Sequence, residues 1–297
     1  MLASVAGKPG IAIVGAGNLA QALAPALRRA GYRISEVISR AERESRRRAQ
    51  ALARQLHTKA TDHQHASLDA DIIWLCMTDD AIAETAQRFA RRSAWRGKTV
   101  LHSSGALSSD ELAPLRLRGA AVGSVHPMMT FVRNAGTGMK GIAFALEGDA
   151  KAVRYGRRIA EDLGGIPFRI SKESKVLYHA MGSFSSPMVV IVLALGELIA
   201  AMAGIPRQKI PAAMRPILLK TIDNYMKNGS AGAFSGPINR GDIDTVRKHL
   251  TNLQKVPAAR AAYVALARAA AEMLPVRKKE ELLQLLSETL RASTTPR

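Results

Sequence analysis

Ile11-Ala12-Ile13-Val14 is a short, mostly β-branched apolar run that passes directly into Gly15-Ala16-Gly17-Asn18-Leu19-Ala20, and no other stretch of the 297 residues narrows the possible folds as far. The run reads as a buried strand, and Leu19, Leu23 and Leu27 then recur at helical spacing, with Gly31 placed to close the helix. A strand, a glycine turn and a helix in immediate succession present free backbone N–H groups at a helix N-terminus, a ready site for a diphosphate. Gly15 permits the tight turn, Gly17 keeps side chains away from the phosphate, and Ala20 allows close packing of helix on strand. Gly15, Ala16, Gly17, Asn18 and Leu19 are therefore expected to cradle a dinucleotide; the alternative is an ordinary strand-to-helix turn. Pro25 lies inside this helix, where proline costs roughly 3 kcal/mol, so a kink or early break is expected there.

The rest of the chain supplies what such a turn needs. The segment Ile34 to Ile38 reads as a second strand ending at Ser39-Arg40, where a dinucleotide fold faces the adenosine ribose. An acidic residue there would select NAD, and this chain has none. Ser39 can donate to a 2′-phosphate and Arg40 can bind or stack on it, so NADP is expected over NAD. Arg43, Arg46 and Arg47 either strengthen that field or, with the rest of Arg43 to Arg48, form a solvated helix face. His57, His63 and His65 lie in a polar, loop-like stretch with no cysteine or carboxylate set to complete a metal site, and they read as surface histidines.

A third strand, Asp71 to Met77, is followed by Thr78-Asp79-Asp80 as a helix cap, which puts Met77 and Thr78 on the nicotinamide side and leaves Cys76 an inert core thiol. Thr99 to Leu101 ends in His102-Ser103-Ser104-Gly105, and Ala120 to Val125 ends in His126-Pro127-Met128. Both ends fall where substrate would meet nicotinamide. Ser103 and Ser104 either hold a carboxylate or carbonyl oxygen or cap the next helix; His126 either exchanges a proton with the substrate or is structural. Two further strands, Ile142 to Leu146 and Pro167 to Ile170, flank a helix from Ala150 to Leu163, and strand signals end there.

From Ser171, read as a cap, the chain is helical. The first helix carries Lys175, Tyr178, His179 and Ser183, with Lys175 and His179 one turn apart. The pair suits a general acid and a substrate-orienting group, or else a solvated lysine beside a half-buried histidine. Further helices begin near Pro206, Asp242, Val256 and Arg277, and the turn-rich Phe234 to Asp242 holds Arg240, suited to a carboxylate or phosphate, and Asp242, suited to a cap or to fixing Arg240.

Composition limits the classes of function. With 47% hydrophobic and 4% aromatic residues over this length, two aliphatic cores of a soluble protein are expected. A single cysteine and no secretory leader point to the cytoplasm. The longest apolar run, Met188 to Gly204, follows Pro187 and contains Glu197, so it reads as a buried helix and no membrane partner is expected. The formal charge of +19 attracts anions in general. The basic residues are spread along the chain without interleaved aromatics, so no nucleic-acid partner is expected.

Ser103-Ser104-Gly105-Ala106, Gly123-Ser124-Val125-His126-Pro127, Leu177-Tyr178-His179-Ala180 and the Gly-Pro-Ile-x-Arg-Gly-Asp string ending at Asp242 resemble the motifs of Rossmann-like proteins with a C-terminal DUF2520 domain. The resemblance covers nearly the whole chain and implies an NAD(P) oxidoreductase without naming a substrate. The layout is also similar to β-hydroxyacid dehydrogenases, where Lys175 matches the lysine of a Lys-x-x-x-Asn pair and His179 replaces the asparagine. In prephenate dehydrogenases a His-Pro element after a serine loop looks like His126 with Ser103 or Ser104. Pyrroline-5-carboxylate reductases and ketopantoate reductases share the architecture.

The expected protein is of the α/β class: a Rossmann-type doubly wound sheet over residues 1–170, then an all-α domain over 171–297 for substrate and dimer contacts. NADP(H) and a small, carboxylate-bearing substrate would meet in the interdomain cleft. Lys175 is the first candidate for proton transfer and His126 the second, with His179, Ser103 and Ser104 positioning substrate. A homodimer through the helical domain is expected, with the Met188-to-Ala203 helix in the core and against the second subunit. The alternative is a protein that senses NADPH without turnover.

Overall fold

The computed structural model describes residues 7–92, 94–132 and 138–294. Strands β1 (Ile11–Val14), β2 (Ile34–Ser39), β3 (Lys59–Asp62), β4 (Ile72–Leu75), β5 (Thr99–His102), β6 (Ala121–Pro127), β7 (Ala143–Gly148) and β8 (Ile166–Arg169) form one sheet, ordered β3-β2-β1-β4-β5-β6-β7-β8. Every neighbouring pair is parallel except β6 with β7. The chain builds outward from β1 to β3, then returns to the other side of β1 as β4. That reversal is the switch point at which an open α/β sheet leaves a crevice beyond its strand ends.

The periodicity of β1 explains why helices cover both faces. Ile11 and Ile13 join one core cluster, with residues of α1 (Asn18–Arg29) and α2 (Arg43–Leu56), while Ala12 and Val14 join another, with residues of α3 (Ile82–Ala90) and α4 (Ala113–Arg116). A strand buried on both sides needs apolar residues at every position, hence the continuous run. Helix α5 (Ala150–Asp162) adds Ala152, Val153 and Ile159 to the first cluster.

Three local expectations are corrected. Helix α1 runs unbroken through Pro25 to Arg29, because Leu23, Ala24, Ala26 and Leu27 around the ring are all buried and their packing outweighs one lost hydrogen bond. The polar stretch before β4 contains strand β3, an edge strand whose exposed or half-buried side chains carry no hydrophobic alternation. Helix α6 (Lys175–Ser185) starts four residues after Ser171; the Ser171 and Ser174 hydroxyls bond each other, and neither caps it with its side chain.

By its contacts the chain divides into two compact units, Met1–Ser186 and Pro187–Arg297. Helix α6 thus belongs with the sheet, past the boundary expected at Ile170. The second unit contains α7 (Pro187–Met202), α8 (Ile210–Ala233), α9 (Pro237–Arg240), α10 (Ile243–Asn252), α11 (Pro257–Met273) and α12 (Lys279–Thr294). Its core is Val246 and Leu250 of α10, Val264, Ala267 and Ala271 of α11, and Leu282, Leu285 and Leu286 of α12. Asp242 accepts the Thr245 amide at 3.1 Å and so caps α10.

Helix α7, expected in a core, has no buried residue in the single chain. It follows α6 with only Ser186 between, so that Lys175–Met202 together is long and apolar enough to cross a membrane by length and composition alone. This differs from the sequence reading, which began the run after Pro187. The first turn of that stretch is nevertheless bonded into the sheet unit, through Lys175 and Tyr178.

Candidate cofactor cavity and active site

A cavity of about 360 Å³ opens where β1, β2 and β4 end. Gly15, Ala16, Gly17, Asn18 and Leu19 line one part of it, Ser39 and Arg40 a second, and Met77 and Thr78 a third. All nine residues expected at a cofactor are therefore brought to one place. Gly15 has φ +100°, and a Cβ there would lie 2.3 Å from the Cys76 carbonyl oxygen, so only glycine lets β1 turn this close to β4. Gly17, the N-cap of α1, has open space where its Cβ would be. A strained turn followed by an unobstructed helix N-terminus fits the diphosphate of a dinucleotide.

The wall beyond β2 also holds residues that sequence reasoning did not place at the cofactor. Ser45, Arg48 and His63 line the cavity, so the arginine that α2 supplies is Arg48, whereas Arg46 pairs with Asp62 at 3.5 Å. Arg40 pairs with Glu42 at 3.4 Å and stays largely exposed. His63 corrects the surface reading: it is 7% exposed, sits edge-on to Phe89, and its Nε2 is buried with no hydrogen-bond partner among the described residues. Burial, with the charges of Arg88 and Arg40, holds its imidazole below the usual histidine range. A buried orphan polar atom in the wall of a cavity fits a site shaped for a polar ligand. His57 and His65 are exposed, and no group of metal-binding side chains occurs among the described residues.

A second polar cluster lies within the sheet unit. Lys175 is 1% exposed, and its Nζ donates to the Ser104 carbonyl at 3.0 Å and to Ser124 Oγ at 2.5 Å. Burial pushes its ammonium down to about 8, against the opposing pull of Glu147 and Asp79. Ser124 Oγ itself donates to the Ser104 carbonyl at 3.1 Å. One turn on, Tyr178 Oη lies 2.7 Å from His126 Nδ1. Burial, then the Lys175 charge, then His179, push the His126 imidazole down to about 4, while burial pushes the Tyr178 phenol up to about 12. The solvated-lysine alternative is reversed: Lys175 is buried, and His179 is exposed.

The serines divide their labour. Ser104 Oγ accepts the amides of Ala106 and Leu107 and donates to Asp79 Oδ2 at 2.8 Å; Ser103 Oγ accepts Trp74 Nε1–H at 2.8 Å. Both hydroxyls thus bond the scaffold, that of Ser104 as donor and acceptor and that of Ser103 as acceptor, and it is the Ser104 carbonyl that faces Lys175. His102 is committed likewise, its Nδ1 accepting from the Ser104 amide and its Nε2 donating to the Ser108 carbonyl, and burial pushes it down to about 3.

Residues 6–127 match a Rossmann-like domain, and residues 142–270 match DUF2520, a domain of unknown function. The chain is a Rossmann-like protein with a DUF2520 domain. Among solved structures, an NADP oxidoreductase so far only proposed as such, from Bacteroides fragilis, is 26% identical, with TM-score 0.72 over 88% of this chain and 97% of its own. Protein TM1727 from Thermotoga maritima is 23% identical, with TM-score 0.68 over 96% and 100%. An imine reductase from Myxococcus stipitatus, in complex with NADP⁺, is 17% identical, with TM-score 0.66 over 95% and 100%. No curated protein matches the sequence.

The DUF2520 match begins at residue 142, within the sheet, and so includes both α6 and β7. In this DUF2520 protein the residues of the Lys175 cluster to which sequence reasoning gave no role are Ser124 and Tyr178. A signal for them existed: Ser124 is two residues from His126 on a strand, and Tyr178 three from Lys175 on a helix, so each shares a face with a residue already singled out.

Proposed function

We propose that this protein is an NADP(H)-dependent reductase or dehydrogenase acting on a small, carboxylate-bearing hydroxy/keto or amino/imino substrate. The observation that carries the reading is Gly15, a position closed to any side chain at the mouth of a cavity beyond the switch point of the sheet. The Bacteroides fragilis neighbour supports the same class. Bound there, a nicotinamide dinucleotide would supply or accept a hydride.

The residues of the chain divide the remaining work. The turn from Gly15 to Leu19 would hold the diphosphate, and Met77 and Thr78 would border the nicotinamide. Ser39, Arg40 and Arg48 would take the 2′-phosphate, which favours NADP(H). Lys175 uses two of its three N–H groups on Ser104 and Ser124, and the third is suited to pass a proton to or from the substrate heteroatom. His126 and His179 would orient the substrate. The exposed apolar helix α7 supports a homodimer formed through the helical unit, and a lone buried thiol suits the cytoplasm.

Calorimetric titration with NADPH and NADH tests the cofactor. NADPH absorbance in the presence of 2-keto acids, imino acids and β-keto acids then tests turnover. Binding with steady oxidation by one substrate class is expected. Absence of binding by either dinucleotide would remove the redox reading, and binding without oxidation across the panel would favour a sensor.

A further inference from the structure

Ser124 and His126 alternate onto one face of β6, and Lys175 and Tyr178, three residues apart on α6, meet them in the same order. Tyr178 Oη is bonded to His126 Nδ1 at 2.7 Å. The other ring nitrogen, Nε2, has no hydrogen-bond partner among the described residues. It lies against Gly105, where an added Cβ would stand 2.9 Å from Nε2 and 2.7 Å from Cδ2 of His179. A side chain at Gly105 would therefore push the two imidazoles away from this turn, and Nε2, like the third N–H of Lys175, has no partner among the described residues.

A neutral imidazole donates from one nitrogen and accepts at the other, so the partner of Nδ1 decides what Nε2 offers. The Tyr178–His126 bond can be drawn in two directions. A phenol O–H is a stronger acid than a neutral imidazole N–H, and an imidazole nitrogen is a stronger base than a phenol oxygen, so O–H···N is the stronger pairing. It also leaves no half-buried hydroxyl hydrogen without an acceptor. We propose that Tyr178 is a positioning residue that donates its hydroxyl hydrogen to His126 Nδ1, so that a neutral His126 presents Nε2–H beside Gly105 to an acceptor atom of the substrate.

The charged and titratable groups around the ring act in the same sense. Lys175 and His179 disfavour an imidazolium, the ring of His102 behind them is itself held neutral by burial, and Tyr178 stays protonated. Resting on the proposed redox reading, this narrows the substrate. An ammonium beside an imidazole N–H takes a carbonyl or carboxylate oxygen, and repels a cationic iminium.

The test is ¹⁵N NMR of histidine-labelled full-length protein, with the His126 signals assigned by loss in His126→Gln. The expected wild-type signature at pH 7 is a proton-bearing Nε2 and an unprotonated, hydrogen-bonded Nδ1, with no imidazolium until the pH approaches about 4. In Tyr178→Phe, which keeps the ring, the Nδ1 acceptor signature should be lost and the tautomers should mix. A wild-type signature of protonated Nδ1, an imidazolium at pH 7, or a Tyr178→Phe spectrum unchanged at His126 would overturn the proposal. Addition of NADP⁺ to the same samples separates the two ideas: without binding the redox reading falls, while the tautomer result stands or falls on its own.

Discussion

The Ser104 hydroxyl donates to Asp79 Oδ2 at 2.8 Å while the Ser104 carbonyl accepts from Lys175 Nζ at 3.0 Å. Asp79 follows Thr78, which lines the cofactor cavity, so one serine ties the edge of that cavity to the buried ammonium. The two polar clusters of the sheet unit are therefore one framework, in which the cavity edge and the proton-bearing group are held by a shared turn. This is the arrangement a transfer reaction needs, because the groups that must be placed relative to each other are fixed by the same hydrogen bonds.

The two glycines of the cofactor turn should fail for different reasons. In Gly15→Ala the new methyl would lie 2.3 Å from the Cys76 carbonyl at a φ of +100°, so a stability loss of roughly 1–3 kcal/mol from overpacking is expected, with loss of NADPH binding. In Gly17→Ala the methyl meets nothing within 4 Å, and stability should be nearly unchanged. Urea unfolding and calorimetry on both variants separate the cases. An undiminished NADPH affinity in Gly17→Ala would argue against a phosphate lying over this turn.

Lys175 should trade stability for function. Its pKa falls from 10.5 to about 8 on folding, mainly by burial, so the unfolded state binds more protons between those two values. Relative to Lys175→Met, wild-type stability should therefore rise by on the order of 3 kcal/mol in total as the pH increases from about 8 to about 10.5, the opposing slopes from the raised Cys76 thiol and Tyr178 phenol being common to both proteins. Near pH 7 the variant should be as stable as wild type or more so, having shed the penalty of a buried charge, while turnover drops by roughly 100-fold or more and NADPH affinity holds. Paired melting curves across this range check it. Unaltered turnover would take the proton role away from Lys175.

Much of this architecture was readable because its signals are local. β1 declares itself by a run apolar at every position, and Gly15 and Gly17 mark the turn, so the nine residues placed at the cofactor from sequence do line one cavity. What escaped depends on contacts distant in sequence. His63 lies between polar neighbours, yet it is buried edge-on to Phe89 of α3, 26 residues on. Edge strand β3 has no hydrophobic face to betray it. Tyr178 gains its meaning from His126, 52 residues earlier. Helix α7 misled in the opposite direction: an apolar composition states that a surface avoids water, but not whether its own chain is what covers it.

Cofactor choice should rest on Arg40. Arg40 lines the cavity beside Ser39, and among the described residues its guanidinium pairs with Glu42 at 3.4 Å and stays largely exposed, which leaves it able to turn toward a phosphate. Arg40→Asp replaces that charge with one that repels a 2′-phosphate and can accept from a ribose hydroxyl. NADPH affinity should fall by roughly 10- to 100-fold, the equivalent of one charge-assisted hydrogen bond, with NADH affinity unchanged or improved. Titration with both cofactors reads the difference. Equal loss of the two would defeat the assignment and leave Arg48 of α2 as the residue to test next.

The apolar surface of the helical unit should be covered by a second copy of the chain. Val190 and Ile191 of α7 are 62% and 58% exposed, and Ile217 and Met226 of α8, which packs against α7, are 67% and 75% exposed. Glu197 is the one charged residue on α7, so this surface has little to keep it solvated. Large apolar side chains exposed along two packed helices mark a surface for protein association. Sedimentation velocity should give a dimer for the wild-type chain, and Ile191→Glu should shift it toward monomer, with greater loss if Met226→Lys is added. A wild-type chain that sediments as a stable monomer at micromolar concentration would show that α7 meets something other than its own kind.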